Sequence, residues 1–197
     1  MPTKKTMKLD AKEKSLIGIT MGDPGGIGPE VILKALTSPE IRAAANYVVI
    51  GSEKVLSNIS DRVLSDNISV LDLDNFTVNN ALSHKPLPDS GKASVEYILK
   101  GLDLTLNGKM DALVTAPISK EAIKLAGFDY AGHTELLKEK TAVENVVMFM
   151  IGKGLRVAFV TTHLAVNEIS GSINQENVFS TIQITATGLK TFFGIDQ

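Results

Sequence analysis

The chain has 197 residues, 44% of them hydrophobic, which is enough for a sizeable core in one large domain or two small ones. Its 20 lysines and arginines nearly balance its 22 aspartates and glutamates, and a net charge of -2 excludes the positive field typical of proteins that bind nucleic acid or anionic membranes. The chain has no cysteine, so it forms no disulfide, and a transition metal would need histidine and carboxylate ligands.

The beginning of the chain is polar and rich in lysine, without an apolar segment of signal-peptide length. We expect residues 1–14 to be a disordered tail. The longest apolar run, Val146 to Ile151, is far shorter than the roughly 20 residues that span a bilayer. The sequence therefore predicts a soluble, cytoplasmic protein that binds neither membranes nor nucleic acid.

Short apolar and β-branched runs predict strands along the whole chain. They lie at residues 16–21, 46–51, 68–73, 111–116, 144–152 and 155–161. Most are apolar throughout, as expected of strands that are covered on both faces. Because helical segments separate them, the pattern is typical of βαβ units and a mainly parallel sheet in an α/β fold.

Three segments have helical spacing of apolar residues. They are residues 95–106 before Gly108, residues 122–126 before Gly127, and Gln175 to Phe193 before Gly194. The stretch 74–91 contains two prolines and predicts the main irregular connection, which could serve as a hinge or lid.

The first motif with possible chemistry is GITMGDPGGIGPE, residues 18–30, where a strand runs into four glycines and then Pro29. A helix that begins near Pro29 would offer free amides and a positive dipole end to an anion. The glycine spacing matches neither the dinucleotide-binding motif nor the Walker loop. A tight turn that binds nothing explains the same residues equally well.

The second motif, residues 114–137, places Ser119 and Lys120 at the start of one predicted helix and His133 with Thr134 at the start of another. An imidazole beside a hydroxyl and free helix amides would suit a phosphate or carboxylate. Alternatively, Thr134 only caps its helix and His133 is a partly exposed neighbour.

The third motif is VAFVTTHLAV, in which His163 follows the end of a predicted strand. Open α/β sheets bind ligands at this end of their strands, and imidazole is a common metal ligand. One histidine does not make a metal site, and the spacing of Asn167 and Glu168 does not require them as partners. A hydrogen-bonded histidine at a strand end is the simpler interpretation of the motif alone.

In this order and at these distances, the motifs resemble those of the 4-hydroxythreonine-4-phosphate dehydrogenase family of pyridoxal phosphate biosynthesis. The resemblance rests on ITMGDPGGIGPE, SGKASVEYI, LVTAPISKEAI with AGFDYAGHTELL, and VVMFM with LRVAFVTTHLAVNEI. It covers nearly everything from Ile17 to Gly194. It implies a fold similar to isocitrate and isopropylmalate dehydrogenases, with two α/β subdomains around a cleft, here residues 15–110 and 111–197, both incomplete.

The resemblance also implies an activity. The family oxidises the secondary alcohol of 4-phosphohydroxy-L-threonine with NAD or NADP, releases carbon dioxide, and is usually a homodimer. It implies that His133 and Thr134 bind the phosphorylated substrate. It implies that His163 is one of three histidines that bind a divalent metal such as zinc, magnesium or cobalt, some of them from the second subunit. It identifies no residue that binds the nicotinamide cofactor.

This sequence stops at KTFFGIDQ, and the family's other metal histidines have no counterpart in it. We therefore expect an amino-terminal portion of such an enzyme, truncated at its carboxyl end. A sibling activity on a related phosphorylated sugar acid, or a truncated remnant that is not catalytic, remains an alternative.

Overall fold

Four parallel strands form one sheet in the computed structural model, which describes residues 14–60, 67–77 and 85–196. The strands are β1 (Leu16–Thr20), β2 (Asn46–Gly51), β3 (Ile68–Asp72) and β4 (Ala112–Thr115). Their order is β3-β2-β1-β4, and β1 is central, with Ile19 opposite Val49 on one side and Val114 on the other. The prediction of a parallel sheet is confirmed.

Among the described residues, the first four helices connect these strands and the fifth follows β4. They are α1 (Gly28–Leu36), α2 (Pro39–Ala44), α3 (Glu53–Ile59), α4 (Pro88–Leu106) and α5 (Lys120–Leu125). Three have a proline in their first two positions, where its fixed φ and missing amide suit a helix start. The prediction of an irregular stretch at 74–91 is therefore wrong for Pro88 to Gly91, and residues 78–84 of that stretch lie outside the described residues.

The core of this part of the chain lies around the sheet. Met21, Val49 and Ile50 are fully buried, and Tyr97 of α4 is buried with them. A Cβ atom added at Gly101 of α4 would lie 2.6 Å from the Leu113 side chain of β4. The absence of a side chain at Gly101 therefore lets α4 pack closely on the sheet.

Contacts divide the chain into two compact units, of which the first ends at His133 and the second begins at Thr134. The subdomain boundary after residue 110 stays a prediction; in this structure β4 pairs with β1 and lies in the first unit. The predicted tail, apart from Lys14, lies outside the described residues.

The remaining elements are α6 (His133–Thr141), β5 (Met148–Gly152), β6 (Leu155–Phe159), α7 (Val166–Ser172) and α8 (Gln175–Phe193). Strands β5 and β6 form an antiparallel hairpin whose tight connection contains Gly154 at φ 85°. The Phe149 and Phe193 rings lie 6.2 Å apart, and the Arg156 guanidinium lies 5.5 Å from the Phe193 ring.

The hairpin differs from its prediction in length and in exposure. Strand β5 begins at Met148 instead of residue 144, and β6 ends at Phe159 instead of residue 161. Met150 and Leu155 are 57% and 65% exposed, so these strands are not covered on both faces. Within the described residues, no helix is long and apolar enough to cross a bilayer.

Candidate functional site at the carboxyl ends of β1 and β4

The strand order places a topological switch point between β1 and β4. The chain leaves β1 towards β2 on one side of the sheet, and it returns from β3 through α4 to β4 on the other side. Ligands in open α/β sheets bind in the crevice outside the carboxyl ends of two such strands. The candidate site, called the switch-point site below, consists of residues 21–28 after β1, residues 116–119 after β4, and His133.

The two loops of the switch-point site contact each other directly. The Asp23 amide donates a hydrogen bond to the Pro117 carbonyl over 2.9 Å, and the Ala116 amide donates to the Thr20 carbonyl over 3.1 Å. Gly22 has φ 72°, and a Cβ atom there would lie 2.2 Å from the Pro117 oxygen. Only glycine combines this backbone conformation with this close approach.

Close packing also accounts for Gly28, where a Cβ atom would lie 2.2 Å from the Met21 carbonyl oxygen. Asp23 is only 7% exposed, and its carboxylate accepts a hydrogen bond from the Gly25 amide over 2.8 Å. The amides of Asp23, Gly25 and Gly26 thus find acceptors within the protein, which favours the tight-turn interpretation for this part of the loop. Anion binding at the start of α1 stays a prediction.

The loop after β4 is held by its helix. The Ser119 hydroxyl accepts a hydrogen bond from the Ala122 amide over 3.2 Å and so caps α5, which begins at Lys120. Helix α5 packs closely on α4, because a Cβ atom at Gly91 would lie 2.0 Å from the Ala122 carbonyl oxygen. Ser119 therefore has a structural role, and Lys120 is exposed.

His133 is the first residue of α6, and its side chain lies near the end of β4. Its ring donates a hydrogen bond to the Ala116 carbonyl, while its buried Nε2 has no hydrogen-bond partner. Burial lowers the pKa of His133, and the Ala116 carbonyl opposes this only partly. The imidazole is therefore neutral near pH 7. Because Nε2 is unpaired, we assign the bonded nitrogen as Nδ1, which leaves Nε2 as an acceptor.

Thr134 follows His133 in the chain and is exposed. Helix α6 begins at His133, so Thr134 lies inside its first turn and does not precede the helix as a capping residue would. The roles of His133 and Thr134 in substrate binding stay predictions.

Two buried polar groups near the same edge belong to none of the motifs described above. The hydroxyls of Thr20 and Tyr97 are buried without a hydrogen-bond partner. Burial raises the pKa of Tyr97, and the carboxylates of Asp72, Glu96 and Asp23 raise it further. The phenol therefore stays protonated. Tyr97 lies one helical turn before Gly101, and this spacing was the only available sign that it faces the sheet.

His163 lies in the second unit, four residues beyond the end of β6, and it is exposed. Its φ of 60° is uncommon for a residue with a side chain, and such conformations cluster at functional sites. The Glu168 carboxylate accepts a hydrogen bond from the Ala165 amide over 3.2 Å at the start of α7. Among the described residues, no group of three or more histidines and carboxylates could hold a metal ion. Metal binding by His163 stays a prediction.

Comparisons with known proteins give a consistent result. The model of the family described as "Pyridoxal phosphate biosynthetic protein PdxA" matches residues 31–197. A 4-hydroxythreonine-4-phosphate dehydrogenase of Desulforapulum autotrophicum is 37% identical over 93% of this chain, which spans 59% of that protein. A Clostridium botulinum protein named "Putative D-threonate 4-phosphate dehydrogenase" is 32% identical over 86% of this chain and 56% of that protein.

Comparison with solved structures finds proteins of the same name. The crystal structure of a 4-hydroxythreonine-4-phosphate dehydrogenase from Burkholderia phymatum superimposes with a TM-score of 0.80 and 31% identity. The match covers 93% of this chain and 60% of that one. This chain therefore spans about three fifths of the length of the relatives that it matches.

Proposed function

The chain belongs to the PdxA family of pyridoxal phosphate biosynthetic proteins, and from this premise we propose that it is part of a 4-hydroxythreonine-4-phosphate dehydrogenase. Its whole protein would oxidise 4-phosphohydroxy-L-threonine in the biosynthesis of pyridoxal 5'-phosphate, with subsequent decarboxylation. The observation that carries the proposal is the 37% identity over 93% of the chain to a relative of that name.

In this reaction, NAD or NADP supplies the acceptor for the hydride that leaves the secondary alcohol. Which residues bind that cofactor is not assigned. The residues proposed to bind the phosphorylated substrate are His133 and Thr134. Support for His133 comes from its buried, unpaired Nε2 at the carboxyl end of β4, because a ligand atom would satisfy this group.

The proposal keeps His163 as one ligand of a divalent metal, which could be zinc, magnesium or cobalt. The described residues do not form a metal site by themselves, so we assign no chemical step to the metal. Its other ligands would come from outside the described residues, including the second subunit of a homodimer. The left-handed backbone of His163 supports a functional role for this residue.

A second candidate is a dehydrogenase of a phosphorylated sugar acid, which the relative from Clostridium botulinum favours. D-Threonate 4-phosphate carries a hydroxyl where the amino acid carries an ammonium group. The two substrates therefore differ in charge at one position while sharing the phosphate and the alcohol.

Two measurements on the purified chain test the proposal. Calorimetric titration with each substrate measures its affinity, and the absorbance of the reduced nicotinamide measures turnover. We expect 4-phosphohydroxy-L-threonine to bind more tightly than D-threonate 4-phosphate. His133→Ala should remove most of this affinity, whereas Phe179→Ala, a change at a side chain that is 64% exposed, should leave it unchanged.

The opposite preference would select the sugar-acid candidate. Binding of neither substrate would contradict a substrate site in this chain, as expected of a non-catalytic remnant.

A further inference from the structure

Asp23 is the one acidic residue among those that define the switch-point site. It is only 7% exposed, in the loop between β1 and α1. The backbone around it is fixed, because the Asp23 amide donates to the Pro117 carbonyl over 2.9 Å and the Asp23 carbonyl accepts from the Gly26 amide over 3.0 Å. The side chain is therefore held at the carboxyl end of the sheet, where open α/β folds bind their ligands.

The two carboxylate oxygens of Asp23 differ in their partners. Oδ1 accepts a hydrogen bond from the Gly25 amide over 2.8 Å. Oδ2 has neither a hydrogen bond nor an ion pair within the described part of the chain, where every ion pair joins other residues. In that part of the chain, a nearly buried negative charge thus has one amide as its partner.

A carboxylate at this position requires an explanation beyond the turn. Aspartate is almost never fully buried unless it is paired, because the removal of its charge from water is costly. An asparagine would accept the same hydrogen bond from the Gly25 amide through its side-chain oxygen. The turn therefore accounts for an acceptor at residue 23, and it does not account for the charge of Asp23.

Other carboxylates add to the negative charge near this edge of the sheet. Burial raises the pKa of Tyr97, and the charges of Asp72, Glu96 and Asp23 raise it further. The phenol stays protonated and neutral, so it offers no positive charge to Asp23. Negative charges repel a phosphate and attract a cation. The surroundings of Asp23 consequently favour a positively charged partner.

We propose that the Asp23 carboxylate binds a positively charged nitrogen group of a ligand in the switch-point site. Two ligands of the proposed function carry such a group. One is the ammonium group of 4-phosphohydroxy-L-threonine, and the other is the pyridinium ring of the oxidised nicotinamide cofactor. The choice of ligand rests on the proposed function, whereas the preference for a positive charge rests on Asp23 alone.

Each of these ligands has a matched compound that lacks the positive charge. D-Threonate 4-phosphate carries a hydroxyl in place of the ammonium group, and the nicotinamide ring of NADH is uncharged. Calorimetric titration of the purified chain compares the affinities within each pair. We expect the charged member of one pair to bind about tenfold more tightly or better, as for a hydrogen bond to a charged group. The pair that shows this preference identifies the ligand that reaches Asp23.

Three variants test whether Asp23 is the source of the preference. Asp23→Asn keeps the acceptor for the Gly25 amide and removes the charge, so the chain should fold and lose the preference. Asp23→Glu keeps the charge on a longer side chain and should show a smaller preference than the wild type. Asp103→Asn removes a charge from an exposed side chain near the end of α4 and should leave the preference unchanged.

A wild-type chain that shows no preference in either pair, or that binds none of the four compounds, overturns the role of Asp23. A preference that persists in a folded Asp23→Asn chain overturns it as well. If Asp23→Asn does not fold, a full preference in Asp23→Glu overturns the role and a reduced preference supports it.

Two results separate the role of Asp23 from the proposed function. A preference for NAD over NADH that depends on Asp23, in a chain that binds neither phosphorylated compound, supports the role of Asp23 and contradicts only the proposed function. Binding of 4-phosphohydroxy-L-threonine that is lost in His133→Ala, without a charge preference in either pair, supports the proposed function and overturns the role of Asp23.

Discussion

At the scale of single residues, Gly22 combines a left-handed backbone with a close contact to the loop after β4. We expect Gly22→Ala to destabilise the chain by about 3 kcal/mol or more, since the φ of 72° and the overlap with the Pro117 oxygen both oppose a Cβ atom. Urea unfolding measures the loss. Gly108→Ala is the control, because Gly108 has φ 65° but no atom near its added Cβ, and it should cost about 1 kcal/mol. Equal losses of stability in the two variants would show that the contact between the loops adds nothing to the cost of the left-handed backbone.

The buried imidazole of His133 gives a second prediction, which concerns pH. Its folded-state pKa is lowered, so the unfolded chain binds the proton more readily. Its contribution to stability is therefore complete above the unfolded pKa of about 6.5 and declines as pH falls below that value. Thermal unfolding between about pH 5 and 8 should show this decline in the wild-type chain. A His133→Gln chain should lose less stability over the same range, and parallel curves for the two would contradict the assignment.

At the scale of secondary-structure elements, the contact between α4 and α5 supports the loop after β4. An alanine at Gly91 would place its Cβ atom 2.0 Å from the Ala122 oxygen, and we expect a loss of about 2 to 3 kcal/mol as α5 is displaced. Gly188→Ala in α8 is the matched control, because nothing lies within 4 Å of its added Cβ. It should stabilise the chain by about 0.5 to 1 kcal/mol through the better helix propensity of alanine. Chemical denaturation measures the change in the free energy of unfolding of each variant. An unchanged value for Gly91→Ala would show that α4 and α5 separate easily.

An element could be predicted from the sequence when the residues that determine it lie close together in the chain. Helix α8 was predicted with the observed bounds because Gly194 ends it in the left-handed conformation and its apolar spacing is regular. Helices α2, α3 and α7 were missed, since elements of six or seven residues depend on caps and tertiary packing more than on propensity. The four parallel strands were confirmed because their apolar runs pair within one sheet, although Val114 of the edge strand β4 is 50% exposed.

The candidate site was predictable only in part for a similar reason. His133 and Gly22 lie in motifs that the sequence displays. The hydrogen bond from the His133 ring to Ala116, and the unpaired hydroxyls of Thr20 and Tyr97, depend on contacts between distant parts of the chain. No spacing rule reports such contacts, so they became visible only in the fold.

At the scale of the whole molecule, one face of the β5–β6 hairpin is apolar and exposed. Met150 lies opposite Val157, and both share this face with Met148 and Leu155. Their exposed fractions range from 36% to 65%. Apolar patches of this kind favour association, so we expect the chain to bind a hydrophobic dye and to self-associate at high concentration.

Met150→Lys should weaken both dye binding and self-association, as measured by fluorescence and by light scattering. Leu106→Lys is the control, since Leu106 is 64% exposed at the end of α4 and belongs to the first unit instead of the hairpin. If both variants behaved alike, the association would reflect net charge instead of the hairpin face.

The central position of β1 has a consequence for the order in which the chain folds. The Leu16 amide donates to the Asp111 carboxylate over 2.7 Å, although the two residues are 95 positions apart. Pairing of β1 with β4 therefore closes a loop of the chain that spans most of the first unit. Pairing between such distant segments slows folding. On a ribosome, β1 and β2 can pair early, whereas the switch-point site is completed only after β4 and His133 have emerged. A nascent chain interrupted before β4 would keep one edge of β1 open to other strands.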